Sequence, residues 1–208
     1  YIFLMHAYRV ADLSHAYPLA RGSAPLLATL GGIVLAGDQV SAVSFGGIVI
    51  ICGGIVMMSL QFNVRELGWS GLGWPLATGL MISSYTVVDG MGVRVSDSPL
   101  GYIGWLFMIN GIPFALWLVV REGRVGVRRL GNAWKIGALG GLMSLAAYAL
   151  VIYAMSFAAI GAVAALRETS VLLAAVIGTF LLKEPFGGRR TLAAAIVVAG
   201  STLLYLGR

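Results

Sequence analysis

From Ile136 to Leu166 the chain carries no Lys, Arg, Asp, Glu or His, and that run limits the possible folds more than any other feature. Roughly 20 apolar residues carry a helix across about 30 Å of hydrocarbon. A soluble domain breaks its apolar segments with water-seeking groups about every dozen residues. The remainder agrees: 59% of the 208 residues are apolar and 11% are charged, and the mean hydropathy is +0.93. A membrane β-barrel alternates apolar and polar residues, whereas these segments are apolar at consecutive positions. The expected fold is therefore all-α, a polytopic membrane helix bundle.

Breaks are expected where Gly, Pro and charge cluster. They leave eight spans, near 1–13, 15–36, 43–61, 73–95, 99–120, 134–157, 160–182 and 189–207, the first of them shortened. Tyr1 opens directly onto an apolar stretch with no charged segment or small-residue cleavage site after it, so a fragment is expected and not a signal peptide. The net charge of +6 does not point to nucleic acid. Five of the fourteen basic residues, Arg121, Arg124, Arg128, Arg129 and Lys135, share one expected loop between two apolar spans, as membrane-flanking charge does. The single cysteine, Cys52, lies in a Gly-rich apolar run and reads as a small packing residue.

Sliding the chain on itself by 146 residues superposes Arg21 to Ala28 on Arg167 to Ala174, and pairs Gly32 with Gly178, Leu35 with Leu181, Asp38 with Glu184 and Gly54 with Gly200. Over 21–55 the identities fall at Arg21, Leu26, Leu27, Ala28, Gly32, Leu35, Ile50 and Gly54; about three or four are expected by chance in so biased a composition. Both copies place an arginine inside a span and an acid in the loop after it. One period contains five spans, and an odd number turns the second copy upside down. Inverted repeats are the architecture of alternating access, in which two halves exchange conformations around one central site.

At this point the residues resemble a known family. Ala16-Tyr-Pro-Leu-Ala-Arg-Gly-Ser-Ala-Pro25, Tyr85-Thr-Val-Val-Asp-Gly-Met-Gly-Val-Arg94, and Arg167-Glu-Thr-Ser-Val171 through Lys183-Glu-Pro185 are similar to EamA-type transporters of the drug/metabolite transporter superfamily. The resemblance implies ten helices in two inverted five-helix repeats. It makes the eight spans helices three to ten, with the first two helices and part of the third missing. Residues 1–62 would then be the partial first repeat, 63–72 the joining loop and 73–208 the second repeat. It further implies a multi-pass protein of the cell membrane, the inner membrane of a bacterium. Both termini would be cytoplasmic and the 121–135 loop outside, against the charge rule, which puts that loop inside. Two positions depart from the family pattern: Asp38 stands where the loop acid is usually glutamate, and Gly22 stands opposite Glu168.

Charges inside spans are the informative positions, since one at the bilayer centre costs about 2.5 to 3.5 kcal/mol on the lenient insertion scale. Arg21 and Arg167 are related by the repeat and lie about two turns into their helices, where they either hold an anionic group of a solute or act structurally on neighbouring carbonyls and carboxylates. Neighbours on a helix point about 100° apart, so Arg167 and Glu168 are each expected to find a separate partner. Asp89 shares a face with Tyr85 and Gly92. Desolvated, Asp89 or Glu168 is a proton carrier; the alternative is a fixed ion pair with Arg94, Arg167 or Arg21. Asn110-Gly-Ile-Pro113 is expected to interrupt its span, as a hinge, a simple kink or part of the site. Tyr102, Trp105, Tyr148 and Tyr153 line the cavity or anchor the helices at the interface, and Trp69, Trp74 and Trp134 read as anchors.

The candidate substrate-binding set is accordingly Arg21, Tyr85, Asp89, Asn110, Tyr148, Arg167 and Glu168. His6, Arg9, Asp12 and His15 form a surface network and not a metal site, for no cysteine joins them and the histidines are separated by a helix break. No cofactor is expected. No Gly-x-x-x-x-Gly-Lys-Ser/Thr occurs to power transport with ATP. An intramembrane enzyme would need a metal cluster or a Ser and Lys pair at depth, and a channel would need repeated polar rings. The sequence is therefore read as a secondary carrier, not an enzyme, that exports small organic metabolites, with protons a candidate coupling ion. Its partners are the lipid bilayer and a small-molecule substrate, with no nucleic acid; monomer and homodimer stay open.

Overall fold

A computed structural model of the chain describes residues 13–59, 68–170, 172–173 and 188–207. Among them every regular element is a helix: α1 Leu13–Leu35, α2 Ala42–Ser59, α3 Gly68–Val95, α4 Pro99–Met155, α5 Ile160–Glu168 and α6 Gly188–Leu206. Tyr17–Leu35 of α1 and Pro99–Gly123 and Gly137–Met155 of α4 are long and apolar enough to cross a membrane. Ala42–Met57 and Thr191–Leu206 are shorter apolar stretches. The expected first span, with His6, Arg9 and Asp12, lies outside the described residues, as do Lys183 and Glu184.

The helix ends follow local chemistry. α1 ends at Leu35, two residues before Gly37, whose φ of 69° suits a residue without a β-carbon, and Asp38 N–H turns back onto the Gly32 carbonyl at 3.0 Å. Ser98 caps α4, accepting from Gly101 N–H at 3.1 Å with Pro99 just inside the helix, where a missing N–H costs nothing. Within the helices, threonine and serine hydroxyls return to their own backbones, as Thr29 Oγ1 does to Pro25 O at 2.7 Å and Thr86 Oγ1 to Ile82 O at 2.7 Å. In lipid no water is present to serve them.

Two stretches differ from expectation. The segment Arg121 to Lys135 is helical on both sides of a break at Gly123, where φ 56° and ψ −142° leave the helical region. Its Arg, Glu, Leu and Ala residues are good helix formers, and the break falls on a residue that has no β-carbon to oppose a positive φ. Asn110 to Pro113 stays within helix. Pro113 withdraws one hydrogen bond without ending the element.

The chain divides into two compact units, one of Tyr1–Val88 with Ala158–Arg208 and one of Asp89–Phe157. In the first, α2 is the packing centre, against α1, α5 and α6. Ile48, Ile51, Cys52 and Ile55 are buried with Val197 and Leu204, so Cys52 is a core residue. The opposite face of α2 exposes Val43, Phe45 and Val49. A soluble helix would be polar there, and an apolar outer face is what lipid requires.

Repeat-related helices pack against each other in this unit, and both pairs run antiparallel. Arg21 meets Glu168 while Thr29 meets Gly161. Along α2 and α6, Gly47 meets Leu204 and Gly54 meets Val197. The registers centre near Gly22 and Glu168 in one pair and near Ile51 and Val197 in the other, positions that the 146-residue shift superposes. The α2–α6 crossing is at backbone distance, since a β-carbon on Gly47 would fall 2.7 Å from Gly200 O and one on Gly200 2.9 Å from Gly47 O.

Candidate functional site

In the first unit, α1 and α5 build a charge cluster around Glu168, whose side chain is 0% exposed. Arg21 Nη1 donates to Glu168 Oε1 at 3.0 Å and Oε2 at 3.1 Å. From the neighbouring position, Arg167 Nε and Nη2 both donate to Oε1 at 3.2 Å. Arg167 therefore does pair with Glu168, contrary to the expectation of separate partners. The arginine side chain is long enough to cross the angle between adjacent helix positions, and Arg21 fixes the carboxylate within its reach. Tyr17, one turn before Arg21, lays its ring 5.2 Å from that guanidinium.

The helix backbones favour the cluster. Pro25 has no N–H to give the Arg21 carbonyl one turn earlier. α5 ends at Glu168, with Thr169 N–H donating to Leu166 O at 3.1 Å, so its arginine stands in the last turn, where the helix dipole favours positive charge. Two guanidiniums against one carboxylate leave one positive charge in excess, in surroundings where Arg21 and Arg167 side chains are only 31% and 16% exposed. The contacts with Glu168 engage a single nitrogen of Arg21. Such a site suits a second anion.

At the far end of α1, Asp38 Oδ2 accepts from Ile160 N–H at 2.7 Å. Ile160 opens α5, whose own N-cap residue, Ala159, has no side chain able to cap. An acid from the α1–α2 loop thus supplies the capping oxygen, and a β-carbon on Gly32 would fall 2.7 Å from it.

The second unit holds a different carboxylate. Asp89, 8% exposed, accepts from Tyr148 Oη at 2.5 Å on one oxygen and from Tyr102 Oη at 3.3 Å on the other. Gly92 makes room, since a β-carbon there would fall 2.7 Å from the Tyr102 ring. Phe107 meets the Tyr148 ring edge-on with centroids 6.2 Å apart. Arg94 Nε donates to Met155 O at 2.9 Å and ties α3 to the end of α4. The ion pair with Arg94 offered for Asp89 is not its arrangement among the described residues; phenols take that place.

Of the candidate set, then, Arg21, Arg167 and Glu168 come together, and so do Asp89 and Tyr148. Tyr85 stands 44% exposed on α3, and exposed Asn110 donates its side-chain amide to Leu106 O on its own helix at 2.9 Å. Trp105 and Tyr153 are also exposed. Tyr102, by sequence a cavity or anchor residue, is a second hydroxyl partner of Asp89. Its signal was the short Ser96–Ser98 connection, because a tight antiparallel hairpin sets Gly92 opposite Tyr102.

The model of the EamA-like transporter family matches residues 69–206, more than half of the chain. The chain belongs to the EamA-like transporter family. This EamA-like chain is a multi-pass membrane transporter of the drug/metabolite transporter superfamily. The match takes in Asp89, Tyr102, Tyr148, Arg167 and Glu168, while Arg21 and Asp38 precede it. No curated protein matches. Three chains of known structure match; one, titled only "Crystal structure of protein", superposes with a TM-score of 0.70 at 20% identity, over 99% of this chain and 71% of its own. That likeness concerns the fold alone.

Proposed function

We propose that this EamA-like protein exports small organic metabolites bearing an anionic group, amino-acid-like or drug-like solutes, across a bacterial inner membrane by proton-driven alternating access. The observation that carries this reading is the convergence of Arg21 and Arg167, equivalent under the 146-residue shift, on buried Glu168. Glu168 sits where the α1–α5 register has its centre, so one carboxylate serves two repeat-related cations. In the reading proposed here it is the resident counter-ion, and a solute carboxylate or phosphate competes with it for the guanidiniums. Arg21, Arg167 and Glu168 form the solute site.

The antiparallel packing of α1 on α5 and of α2 on α6 supports an inverted repeat, with residues 1–62 in one half, 73–208 in the other and 63–72 joining them. Alternating access needs two halves of similar energy that exchange roles. The α2–α6 glycine crossing supplies a close seam between them.

The test begins with a screen of metabolites released by cells overproducing the protein, which supplies a solute. Counterflow of that labelled solute is then measured in proteoliposomes. Saturable exchange by the wild type and its loss in Arg167→Ala, with the variant still inserted, is the expected result. Full exchange by Arg167→Ala removes the arginines from the site.

A further inference from the structure

We propose that Asp89, and not Glu168, is the residue that takes up the coupling proton, with Tyr148 and Tyr102 as the hydroxyl pair that accommodates both of its protonation states. This assignment rests on the proton-driven reading above, and deepens it by naming the group that binds the ion.

The two buried carboxylates differ in what surrounds them. Among the described residues Glu168 is bonded only by guanidiniums, which have donors and no acceptor. A proton added there would have no oxygen among them to bond, and two cations would be left close together with nothing between them to balance their charge. Asp89 is bonded by phenols, and a phenol oxygen both donates and accepts. When Asp89 is ionised, the two hydroxyls donate to it. When a proton from water adds to one carboxylate oxygen, the new O–H donates to a phenol oxygen, whose own hydrogen turns elsewhere. The same geometry thus serves two charge states.

Charge balance points the same way. Among the described residues, no arginine, lysine or histidine bonds or pairs with Asp89; the groups facing it are Tyr102 and Tyr148 from α4. Arg94, on α3 itself, gives its Nε to Met155 O. The two phenols therefore face a carboxylate with no fixed countercharge bonded to it. Space decides which cation fits. Asp89 is nearly closed off, both oxygens are taken, and the Tyr102 ring fills the notch at Gly92. A protonated amine or a sodium ion with its oxygen shell would have to expel a tyrosine, whereas a proton needs no volume. Access is short, since Asp89 lies six residues before the end of α3 at Val95, about 9 Å of helix.

The experiment is an infrared pH titration of the purified protein in lipid, without solute. Acidification of the wild type should add carbonyl bands of protonated carboxylic acids, one of them from Asp89. That band should vanish in Asp89→Asn, change frequency in Tyr148→Phe and persist in Glu168→Gln. A set of acid-induced bands that loses nothing in Asp89→Asn, or loses one only in Glu168→Gln, overturns the assignment. So does a carboxylate change evoked by sodium at constant pH. If Asp89→Asn fails to fold, Tyr148→Phe decides: an unshifted band overturns the proposal. Because no solute is present, failure here leaves the counterflow result standing, and failure of counterflow in turn leaves this band untouched.

Discussion

Glu168 and Asp89 set the same chemical group in two kinds of surroundings. Glu168 is held by two guanidiniums and lies wholly out of contact with solvent, whereas Asp89 is held by two neutral hydroxyls. The difference separates two ways of keeping a charge inside a membrane protein. Ionic compensation fixes a single charge state, because removing any partner leaves a buried charge alone. Compensation by hydroxyls leaves both states open, since the partners can reverse their hydrogen bonds. A transporter needs a stable framework for its solute and a group that changes charge in the cycle, and in the reading proposed above the two demands fall on different acids.

The harshest way to break that comparison is to delete each acid. Glu168→Ala leaves Arg21 and Arg167 confronting each other in a poorly solvated space, and a loss of about 3 to 5 kcal/mol of stability is expected, as for other buried pairs deprived of one partner. Asp89→Asn keeps the shape, removes the charge and should cost far less. Thermal unfolding of both variants in detergent measures the difference. Equal losses would mean that Asp89 is as tightly compensated as Glu168 and would dissolve the distinction.

Smaller effects sharpen the second site. Tyr148 makes the shorter bond to Asp89, at 2.5 Å against 3.3 Å for Tyr102. Tyr148→Phe should therefore cost about 1.5 to 3 kcal/mol, the range for a hydrogen bond to a charged group, and Tyr102→Phe clearly less. The order of the two unfolding temperatures is the check. A reversed order would make Tyr102 the principal partner and place the weight on the notch at Gly92.

Much of this architecture was legible in the sequence because membrane helices declare themselves by length and apolarity. The stop before Gly37, the start at Ser98 and Pro99, and the pairing of Arg21 with Arg167 by the 146-residue shift all follow from local rules. The charges inside spans mark both clusters in the sequence itself. What the sequence concealed depends on distances between helices. Adjacent positions such as Arg167 and Glu168 diverge on a helical wheel, and only the approach of Arg21 from α1 reveals that both arginines share one carboxylate. Tyr102 resembled an interface anchor because its role depends on a side chain that Gly92 lacks. The helical character of the stretch from Arg121 to Lys135 was hidden for another reason: its charges read as a loop, although its residues favour helix.

A third carboxylate, Asp38, sharpens the contrast from another direction, for one of its oxygens accepts from backbone. Its Oδ2 accepts from Ile160 N–H at 2.7 Å, at a helix start where Ala159 offers no cap. Side-chain caps contribute about 0.5 to 2 kcal/mol, and a negative charge at a helix N-terminus adds a fraction of that. Removal of the cap in Asp38→Ala should accordingly cost about 1 kcal/mol at the start of α5, while Asp38→Asn, which retains a capping oxygen, should loosen that helix start less. Hydrogen exchange localises the effect: the amides of Ile160 to Val163 should exchange faster in Asp38→Ala than in Asp38→Asn, with little change along α3 and α4. Uniform acceleration across the protein would mean that Asp38 supports the whole first unit and not the start of α5. Faster exchange confined to α5 would instead show that the α1–α2 loop independently secures the end of the helix opposite its arginine.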